Sequence, residues 1–289
     1  MADPRLKAAL RDRQFIVAPG IFDMISARVA DAMGFTALYA TGFGTVASHL
    51  GIADAGVATY TDMVGRVGAF AQACRTPVIA DADTGYGGLL NVRHTVRGYE
   101  AAGIAAIQIE DQEVPKKCGH TPGRRVIPLK EMCLKIEVAV EARKDPDFLI
   151  VARTDARTGL GIDEAIARGK AFAKAGADVI FVESPETEAE MERIGQEIDA
   201  PLLANMVEGG RTPILPAKRL AAIGYDIAIY PAVGFLAVAA AAERVYSHLL
   251  RHGDSNGLPP QESYGFKRMC ELMDFPDVWA FEQRWARED

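Results

Sequence analysis

The chain has 289 residues, 49% of them apolar and 25% charged, and a net charge of −7. This length suits two ordinary domains, or one barrel of about 250 residues with extensions. The acidic balance and the absence of a basic run argue against nucleic acid or an anionic membrane as a partner.

Short apolar runs alternate with segments of helical periodicity along most of the chain. Eight runs are continuously apolar, as in parallel strands that are buried on both faces. The predicted strands are residues 15–18, 37–41, 77–81, 105–110, 149–153, 179–183, 202–205 and 227–230. The predicted helices between them are residues 23–33, 63–74, 92–102, 130–143, 162–175, 187–197 and 216–223.

Eight strands that alternate with helices predict a closed (β/α)8 TIM-type barrel, with an open doubly wound sheet as the alternative. We expect the barrel to occupy residues 1–253 and a helical extension to occupy residues 254–289. The longest apolar stretch, residues 227–242, is shorter than a bilayer span, contains Pro231, and predicts a buried strand followed by a packed helix.

The last part of the chain exceeds what eight strand–helix units need. A loop, DSNGLPPQES, precedes residues 264–287, which have the pattern of one or two helices. These helices contain Phe275, Trp279, Phe281 and Trp285, whose rings must be buried somewhere. We therefore expect this extension to lie at an oligomer interface.

Polar residues directly follow several predicted strands, at the level where the mouth of a barrel holds its active site. Asp81, Asp83 and Glu110 would face one cavity, since Asp81 and Asp83 are two positions apart on a strand. Three such carboxylates repel one another and have raised pKa values unless a cation lies among them. Oxygen ligands with room for water favour Mg2+, with Mn2+ as a substitute. Helix capping, or pairing with Arg153, is the alternative role for any one of them.

Arg153, which ends the fifth predicted strand, can hold a substrate carboxylate or stabilise an enolate oxygen. After the second strand, Gly42 and Gly44 form a glycine-rich loop whose N–H groups can approach a carboxylate, and Thr41 can add a hydroxyl. A dinucleotide fingerprint is disfavoured, because this loop follows the second strand and no acidic residue completes the unit.

Four cysteines lie far apart, at positions 74, 118, 133 and 270, so we expect reduced thiols and a cytoplasmic location. The first residues, MADPRLKAALRDRQ, lack the apolar segment of a signal peptide. Cys118 differs from the others, because Lys116 and Lys117 precede it and His120 follows. This positive environment favours a reactive thiol suited to proton transfer or nucleophilic attack, and Gly119 allows close approach.

These motifs together resemble the isocitrate lyase/phosphoenolpyruvate mutase superfamily, from about residue 10 to about residue 250. The matching segments are KKCGH at 116–120, DADTGYG at 81–87, IEDQ at 109–112, ARTDA at 152–156 and NMVEGG at 205–210. The resemblance implies an α/β barrel whose last helices are exchanged between subunits, in a tetramer made of dimers.

The resemblance also implies particular ligands. Mg2+ would be bound directly by Asp83, and through water by Asp81 and Glu110. The residues that would hold or lie beside an α-keto or α-hydroxy carboxylate are Tyr39, Thr41, Gly42, Phe43, Asp54, Gly119, Arg153, Glu183 and Asn205.

The Lys-Lys-Cys-Gly-His loop is typical of members that break a C–C bond in a 2-hydroxy acid. The resemblance implies that a base removes the substrate hydroxyl proton and a retro-aldol step follows, with Mg2+ and Arg153 stabilising the enolate. Cys118 would then protonate the carbanion-like carbon, with Lys116 and His120 in the same catalytic loop. Tyr39 and a metal-bound water are both candidates for the base.

The choice of substrate depends on small differences. Thr41-Gly42-Phe43-Gly44 replaces the Ser-Gly-Gly-Gly of methylisocitrate lyases, and Val207 stands where a hydroxyl would help to bind a third carboxylate. We therefore predict a lyase that splits a substituted malate, such as 2,3-dimethylmalate, into pyruvate and a carboxylic acid.

Four alternatives remain. A 2-methylisocitrate lyase and an oxaloacetate hydrolase, which forms oxalate and acetate, could use the same site. A phosphonopyruvate mutase or hydrolase is disfavoured by Cys118 and His120. A binding protein without catalysis on this fold is disfavoured by the complete set of acids together with Arg153 and Cys118.

Overall fold

Eight parallel strands form a closed barrel in the computed structural model of this chain, in sequence order and with the last strand paired to the first. The strands are β1 (Ile16–Ile21), β2 (Leu38–Ala40), β3 (Val78–Asp81), β4 (Ala106–Glu110), β5 (Leu149–Thr154), β6 (Val179–Val182), β7 (Leu202–Asn205) and β8 (Ile227–Tyr230). The structure describes residues 2–117, 119, 123–259 and 263–286. The predicted TIM-type barrel is confirmed, and the open sheet is wrong.

Helices follow the strands around the barrel. They are α1 (Pro4–Arg11), α2 (Met24–Ala32), α3 (Gly42–Leu50), α4 (Tyr60–Ala73), α5 (Leu89–Ala101), α6 (Leu129–Ala142), α7 (Ala156–Leu160), α8 (Ile162–Lys174), α9 (Glu188–Glu197), α10 (Ala217–Ala222), α11 (Val233–His252), α12 (Phe266–Leu272) and α13 (Phe275–Trp285). The seven helices predicted between strands are all present, whereas α1, α3 and α7 were not predicted.

The predicted glycine-rich loop after β2 is wrong, because these residues form α3. Thr41 is its N-cap, Gly42 is its first residue, and Gly51 ends it with a left-handed φ of 67°. Glycine disfavours a helix in isolation, so local preference pointed to a loop. The helix is held by tertiary packing instead, since Thr45 and Val46 are buried.

Strand β1 continues three residues beyond its predicted end. Pro19 lies opposite Tyr230 in the parallel ladder, although proline normally ends a strand. A Cβ on Gly20 would collide with the Pro231 carbonyl, so only glycine permits this close approach between β1 and the end of β8.

Two apolar clusters build the barrel unit. One lies between the strands and the surrounding helices, and the other fills the barrel interior with side chains such as Ile79, Val151 and Phe181. Leu6 of α1 joins the interior cluster, and the N–H of Ala2 donates to Asp145, just before β5. Helix α1 therefore covers the amino ends of the strands and leaves the carboxyl ends for the site.

The chain divides into two compact units, Met1–Gly234 and Phe235–Asp289. The second contains most of α11 together with α12 and α13, so the helices predicted at 264–287 are confirmed as two. Within the described residues of these helices none is buried, and Trp279 and Trp285 are among the exposed side chains. Helix α11 has 20 residues, and an 18-residue stretch of it has a mean hydropathy of 1.2, so by length and composition alone it could cross a membrane. The prediction of a packed helix after β8 is wrong for the single chain, because none of the residues of α11 is buried.

Candidate active site

Strand register brings polar residues together at the carboxyl ends of the barrel. Asp81 is paired with Gln108 across β3 and β4, and Glu110 is paired with Arg153 across β4 and β5. Because parallel strands end at the same level, these residues face one mouth. All four are buried, so charges that would be mobile on a surface are held here in fixed positions.

Asp83 also lies at the barrel mouth, but in the turn that follows β3 and not on the strand itself. The expectation that Asp81 and Asp83 both lie on a strand is wrong, because β3 ends at Asp81 and Asp83 has a left-handed φ of 50°. This conformation is uncommon outside glycine and is found where other contacts impose it. The backbone N–H of Asp83 donates to Asp81 Oδ1 over 3.0 Å, which holds the two acids together.

Lys116 supplies a cation to this group of acids. Its Nζ lies 2.5 Å from Asp54 Oδ1 and 2.7 Å from Asp83 Oδ1, and its side chain is buried. Burial alone would lower the pKa of Lys116, but the surrounding carboxylates, led by Asp83 and Glu110, raise it well above its ordinary value. Lys116 therefore remains an ammonium ion that partly balances the acids.

The acids nevertheless hold protons more tightly than usual. Burial raises the pKa of Asp83 to about 7, despite the nearby charge of Lys116. Burial also raises the pKa of Asp81, and raises that of Glu110 well above its ordinary range. Among the described residues, Glu110 Oε1 is buried and has no hydrogen-bond partner. The positive charge of Lys116 therefore does not fully offset the burial of the carboxyl groups at the mouth.

Arg153 is the cation on the opposite side of the mouth. Its guanidinium forms two hydrogen bonds of 2.9 Å to Asp155 and lies 3.4 Å from both Glu110 and Glu183. A Cβ on Gly119 would collide with the Arg153 guanidinium, so glycine lets the backbone of the Cys118 loop approach it. Arg153 is in place to bind an anion between the loop and the strand ends.

The start of α3 faces the acids. A Cβ on Gly42 would lie 2.5 Å from Asp81 Oδ2, so the helix begins directly against this carboxylate. Thr41 is buried, and Phe43 is partly exposed. The first N–H groups of a helix have no acceptor within it, and the helix dipole favours an anion there. This end of α3 can receive a substrate carboxylate, as the loop was expected to do.

Glu183 and Asn205 complete the mouth at β6 and β7. Asn205 Nδ2 donates to Glu183 Oε2 over 2.9 Å, and both residues are buried. The structure therefore places Glu183 next to Arg153, and Asn205 next to Glu183.

Tyr39 is also in the mouth, but as a neutral donor. Its hydroxyl donates to Gln108 Oε1 over 2.8 Å, and Gln108 Nε2 donates to Asp81 Oδ1 over 3.2 Å. Burial and the charge of Asp81 raise the pKa of Tyr39 well above its ordinary value. The phenol therefore stays protonated near neutral pH, which makes Tyr39 a poor base.

Two of the predicted catalytic residues, Cys118 and His120, lie outside the described residues. Their neighbour Gly119 is described, and its carbonyl accepts a hydrogen bond of 3.1 Å from Ser184 Oγ. The three described cysteines form no disulfide.

Sequence reasoning missed Gln108, Arg124 and Ser184 as parts of the site, and gave no separate role to Asp155 of the ARTDA segment. Gln108 carries a signal that could have been used, since it interrupts the apolar run of β4. Asp155 directly follows the observed end of β5 at Thr154, two residues beyond the predicted end at Arg153. Arg124 and Ser184 have no local signal, because their role depends on contacts between segments that are distant in sequence.

A (β/α)8 barrel whose mouth gathers buried acids, an arginine and a helix start is the architecture of an enzyme for a small anionic substrate. The profile of the phosphoenolpyruvate phosphomutase family matches residues 6–250. The chain belongs to this family.

Two curated relatives match nearly the whole chain. The 2,3-dimethylmalate lyase of Eubacterium barkeri is 47% identical over 98% of this chain and 97% of its own length. The 2-methylisocitrate lyase of Bacillus subtilis (strain 168) is 36% identical over 98% of this chain and 93% of its own length. Both relatives are lyases by name.

Solved structures agree with this relationship. A 2,3-dimethylmalate lyase has a TM-score of 0.91 at 36% identity and covers 99% of this chain and 96% of its own. Oxaloacetate acetylhydrolase with 3,3-difluorooxalacetate has a TM-score of 0.92 at 33% identity, covering 98% and 97%. A phosphonopyruvate hydrolase with oxalate and Mg2+ has a TM-score of 0.89 at 30% identity, covering 99% and 100%.

Proposed function

We propose that this protein is a lyase that cleaves 2,3-dimethylmalate, or a closely related substituted malate, between C2 and C3. For 2,3-dimethylmalate the products are pyruvate and propionate. The observation that carries the proposal is the 47% identity to 2,3-dimethylmalate lyase along almost the whole chain. The buried acids and Arg153 at the barrel mouth support it, because they suit a small carboxylate substrate.

The residues of the mouth suggest how the substrate is held. One carboxylate of the substrate binds between the start of α3 and Arg153, because helix N–H groups and a guanidinium both donate hydrogen bonds to an anion. As the C–C bond breaks, Arg153 stabilises the negative charge that develops on the enolate oxygen. Cys118 donates a proton to the departing carbon, and Gly119, which lies against Arg153, supports a place for this loop beside the substrate.

The substrate hydroxyl must lose its proton before the bond breaks. Tyr39 was one candidate acceptor, but it is buried, its pKa is raised and its hydroxyl donates to Gln108. The other candidate is a water that Mg2+ would hold, because a bound divalent cation would lower the pKa of that water enough for it to accept the proton once ionised.

We also propose that Mg2+ is the cofactor, with Mn2+ as a substitute. Asp83 would bind it directly, and Asp81 and Glu110 would bind it through water. The buried Glu110 Oε1 without a hydrogen-bond partner and the raised pKa values of Asp83 and Glu110 fit carboxylates that would hold a cation. Among the described residues, no three His, Cys, Asp or Glu side chains already have the spacing of a metal site. When bound, Mg2+ would polarise substrate oxygens and stabilise enolate charge.

A product assay with added Mg2+ tests the proposed function. The panel is 2,3-dimethylmalate, 2-methylisocitrate, isocitrate, oxaloacetate and phosphonopyruvate, with pyruvate followed by coupled NADH oxidation and oxalate by chromatography. We expect pyruvate from 2,3-dimethylmalate, and loss of turnover with retained oxalate binding in Cys118→Ser. Pyruvate from 2-methylisocitrate alone would favour the tricarboxylate lyase. Oxalate from oxaloacetate without pyruvate from the hydroxy acids would mean a hydrolase.

The assembly and location extend this proposal. We propose a homo-oligomer, a tetramer, in which residues 254–289 lie at the interface and the last helices are exchanged. The exposed aromatic side chains of α13 support this, because such a surface is unfavourable in water. A cytoplasmic location is supported by the free thiols.

A further inference from the structure

Asp155 lies behind Arg153 and binds two arginines at once. Arg153 donates to both carboxylate oxygens over 2.9 Å, and Arg124 Nη1 donates to Asp155 Oδ1 over 2.6 Å. The side chain of Arg124 is 1% exposed and that of Asp155 is 0% exposed. The N–H of Asp155 also donates to Asp111 Oδ1 over 2.9 Å, which fixes its backbone. Asp155 is thus a rigid support for the two guanidinium groups.

Arg124 lies in the segment that follows the Cys118 loop and precedes α6 in the chain. Its Nη2 donates to Thr158 Oγ1 over 2.5 Å and lies 3.5 Å from Ser184 Oγ. Ser184 has a left-handed φ of 59°, and its hydroxyl donates to the Gly119 carbonyl. Arg124 therefore connects this segment to the ends of β5 and β6, directly behind the substrate-facing residues.

The charges explain why a second arginine is useful here. If Asp155 were paired with Arg153 alone, its negative charge would cancel the positive charge of Arg153. Glu110 and Glu183 add further negative charge, since each lies 3.4 Å from the same guanidinium. With Arg124 on the same carboxylate, the group of Arg124, Asp155 and Arg153 keeps one net positive charge. Buried charges interact strongly because the surroundings are poorly polarisable. The second arginine thus keeps Arg153 attractive to an anion.

We propose that Arg124 is a positioning residue for the reaction: by sharing Asp155, it holds Arg153 in place and keeps its positive charge available to the substrate carboxylate. This rests on the proposed function only in assigning the anionic end of the substrate to Arg153. The alternative is an ion pair that stabilises the fold and has no effect on ligand binding.

Oxalate binding separates these roles, because oxalate is a ligand of a solved neighbour and needs no turnover. Its dissociation constant is measured by titration calorimetry at saturating Mg2+, with thermal unfolding recorded for every variant. Arg124→Gln keeps a hydrogen-bond donor but removes the charge. Arg124→Lys keeps the charge but loses the planar guanidinium, whose several N–H groups can donate to two partners at once. Arg125→Gln is the matched control, since Arg125 is the next residue, is 80% exposed and pairs with Glu113.

We expect Arg124→Gln to weaken oxalate binding by about tenfold or more, the usual effect of losing a charged partner. Arg124→Lys should stay within about threefold of the wild type, because the charge is restored although the geometry is poorer. Arg125→Gln should bind oxalate as the wild type does.

A folded Arg124→Gln protein that binds oxalate like the wild type would overturn the proposal and leave a purely structural ion pair. If Arg124→Gln does not fold, Arg124→Lys decides: binding near that of the wild type supports the role of the charge, and a loss beyond about tenfold overturns it. The substrate panel on the wild type is separate, so a different substrate would leave these binding results valid.

Discussion

Asp83 titrates close to physiological pH, because burial raises its pKa to about 7. A carboxyl group must lose its proton to bind a metal ion, so the proton and Mg2+ compete for the same oxygen atoms. The pH dependence of Mg2+ binding therefore reports on this residue.

We expect the affinity for Mg2+, measured by titration calorimetry, to rise from about pH 6 to about pH 8 as Asp83 loses its proton. Asp83→Asn should bind Mg2+ at least about tenfold more weakly and lose most of this pH dependence. Glu113→Gln is the control, because Glu113 is partly exposed and pairs with Arg125 at the surface. Unchanged Mg2+ affinity in Asp83→Asn would remove this residue from the metal site.

The same raised pKa predicts how the metal-free protein responds to pH. The folded state holds the Asp83 proton up to about pH 7, whereas the unfolded state loses it near its ordinary value of 3.8. The free energy of unfolding should therefore fall as pH rises between these values, by at most about 4 kcal/mol from this group. Denaturant unfolding at about pH 5 and about pH 8, without metal and then with Mg2+, measures the loss and its recovery. A metal-free protein that is more stable at the higher pH would contradict the assigned pKa.

At the scale of elements, helix α3 stands where a glycine-rich loop was expected after β2. A loop would let the glycines adapt to a substrate, whereas a helix start presents its N–H groups in fixed directions. Gly42 is needed at this place because the helix begins against Asp81. The start of α3 therefore constrains the position of Asp81.

Gly42→Ala tests this close approach. The new Cβ would lie 2.5 Å from Asp81 Oδ2, so Asp81 or the helix must move. We expect oxalate affinity and turnover to fall by at least about tenfold, since a shift of about 1 Å in a site has this effect. Gly65→Ala on α4 is the matched control, because its Cβ would meet nothing within 4 Å. This control should keep its activity and gain about 0.5–1 kcal/mol of stability. Full activity in Gly42→Ala would show that the helix start does not position Asp81.

At the scale of the whole molecule, the exposed rings of the second unit predict assembly. We expect sedimentation to give a tetramer for the wild type, and Trp279→Glu combined with Trp285→Glu to give smaller species, since charge disfavours an apolar interface. Met33→Ser is the control, because Met33 is a large exposed apolar residue of the first unit. A wild-type monomer, or a double variant of unchanged size, would reject α13 as the interface.

Much of the fold could be predicted from the sequence. Parallel strands buried on both faces require continuous apolar runs, and all eight barrel strands lie where such runs occur. The errors fall where local preference and tertiary packing disagree. Glycine-rich α3 is helical, and β1 continues through Pro19 and Gly20, because contacts with neighbouring strands outweigh local propensity.

The sequence by itself determined the barrel, the order of its strands and the residue types that follow them, because these depend on periodicity and on the shared level of parallel strand ends. Only the tertiary structure decided that Lys116 lies between Asp54 and Asp83, that Tyr39 is a neutral donor to Gln108, and that Arg124 shares Asp155 with Arg153. These relationships join segments that are distant in the chain. They arise from burial and charge balance at the mouth, which no local pattern records.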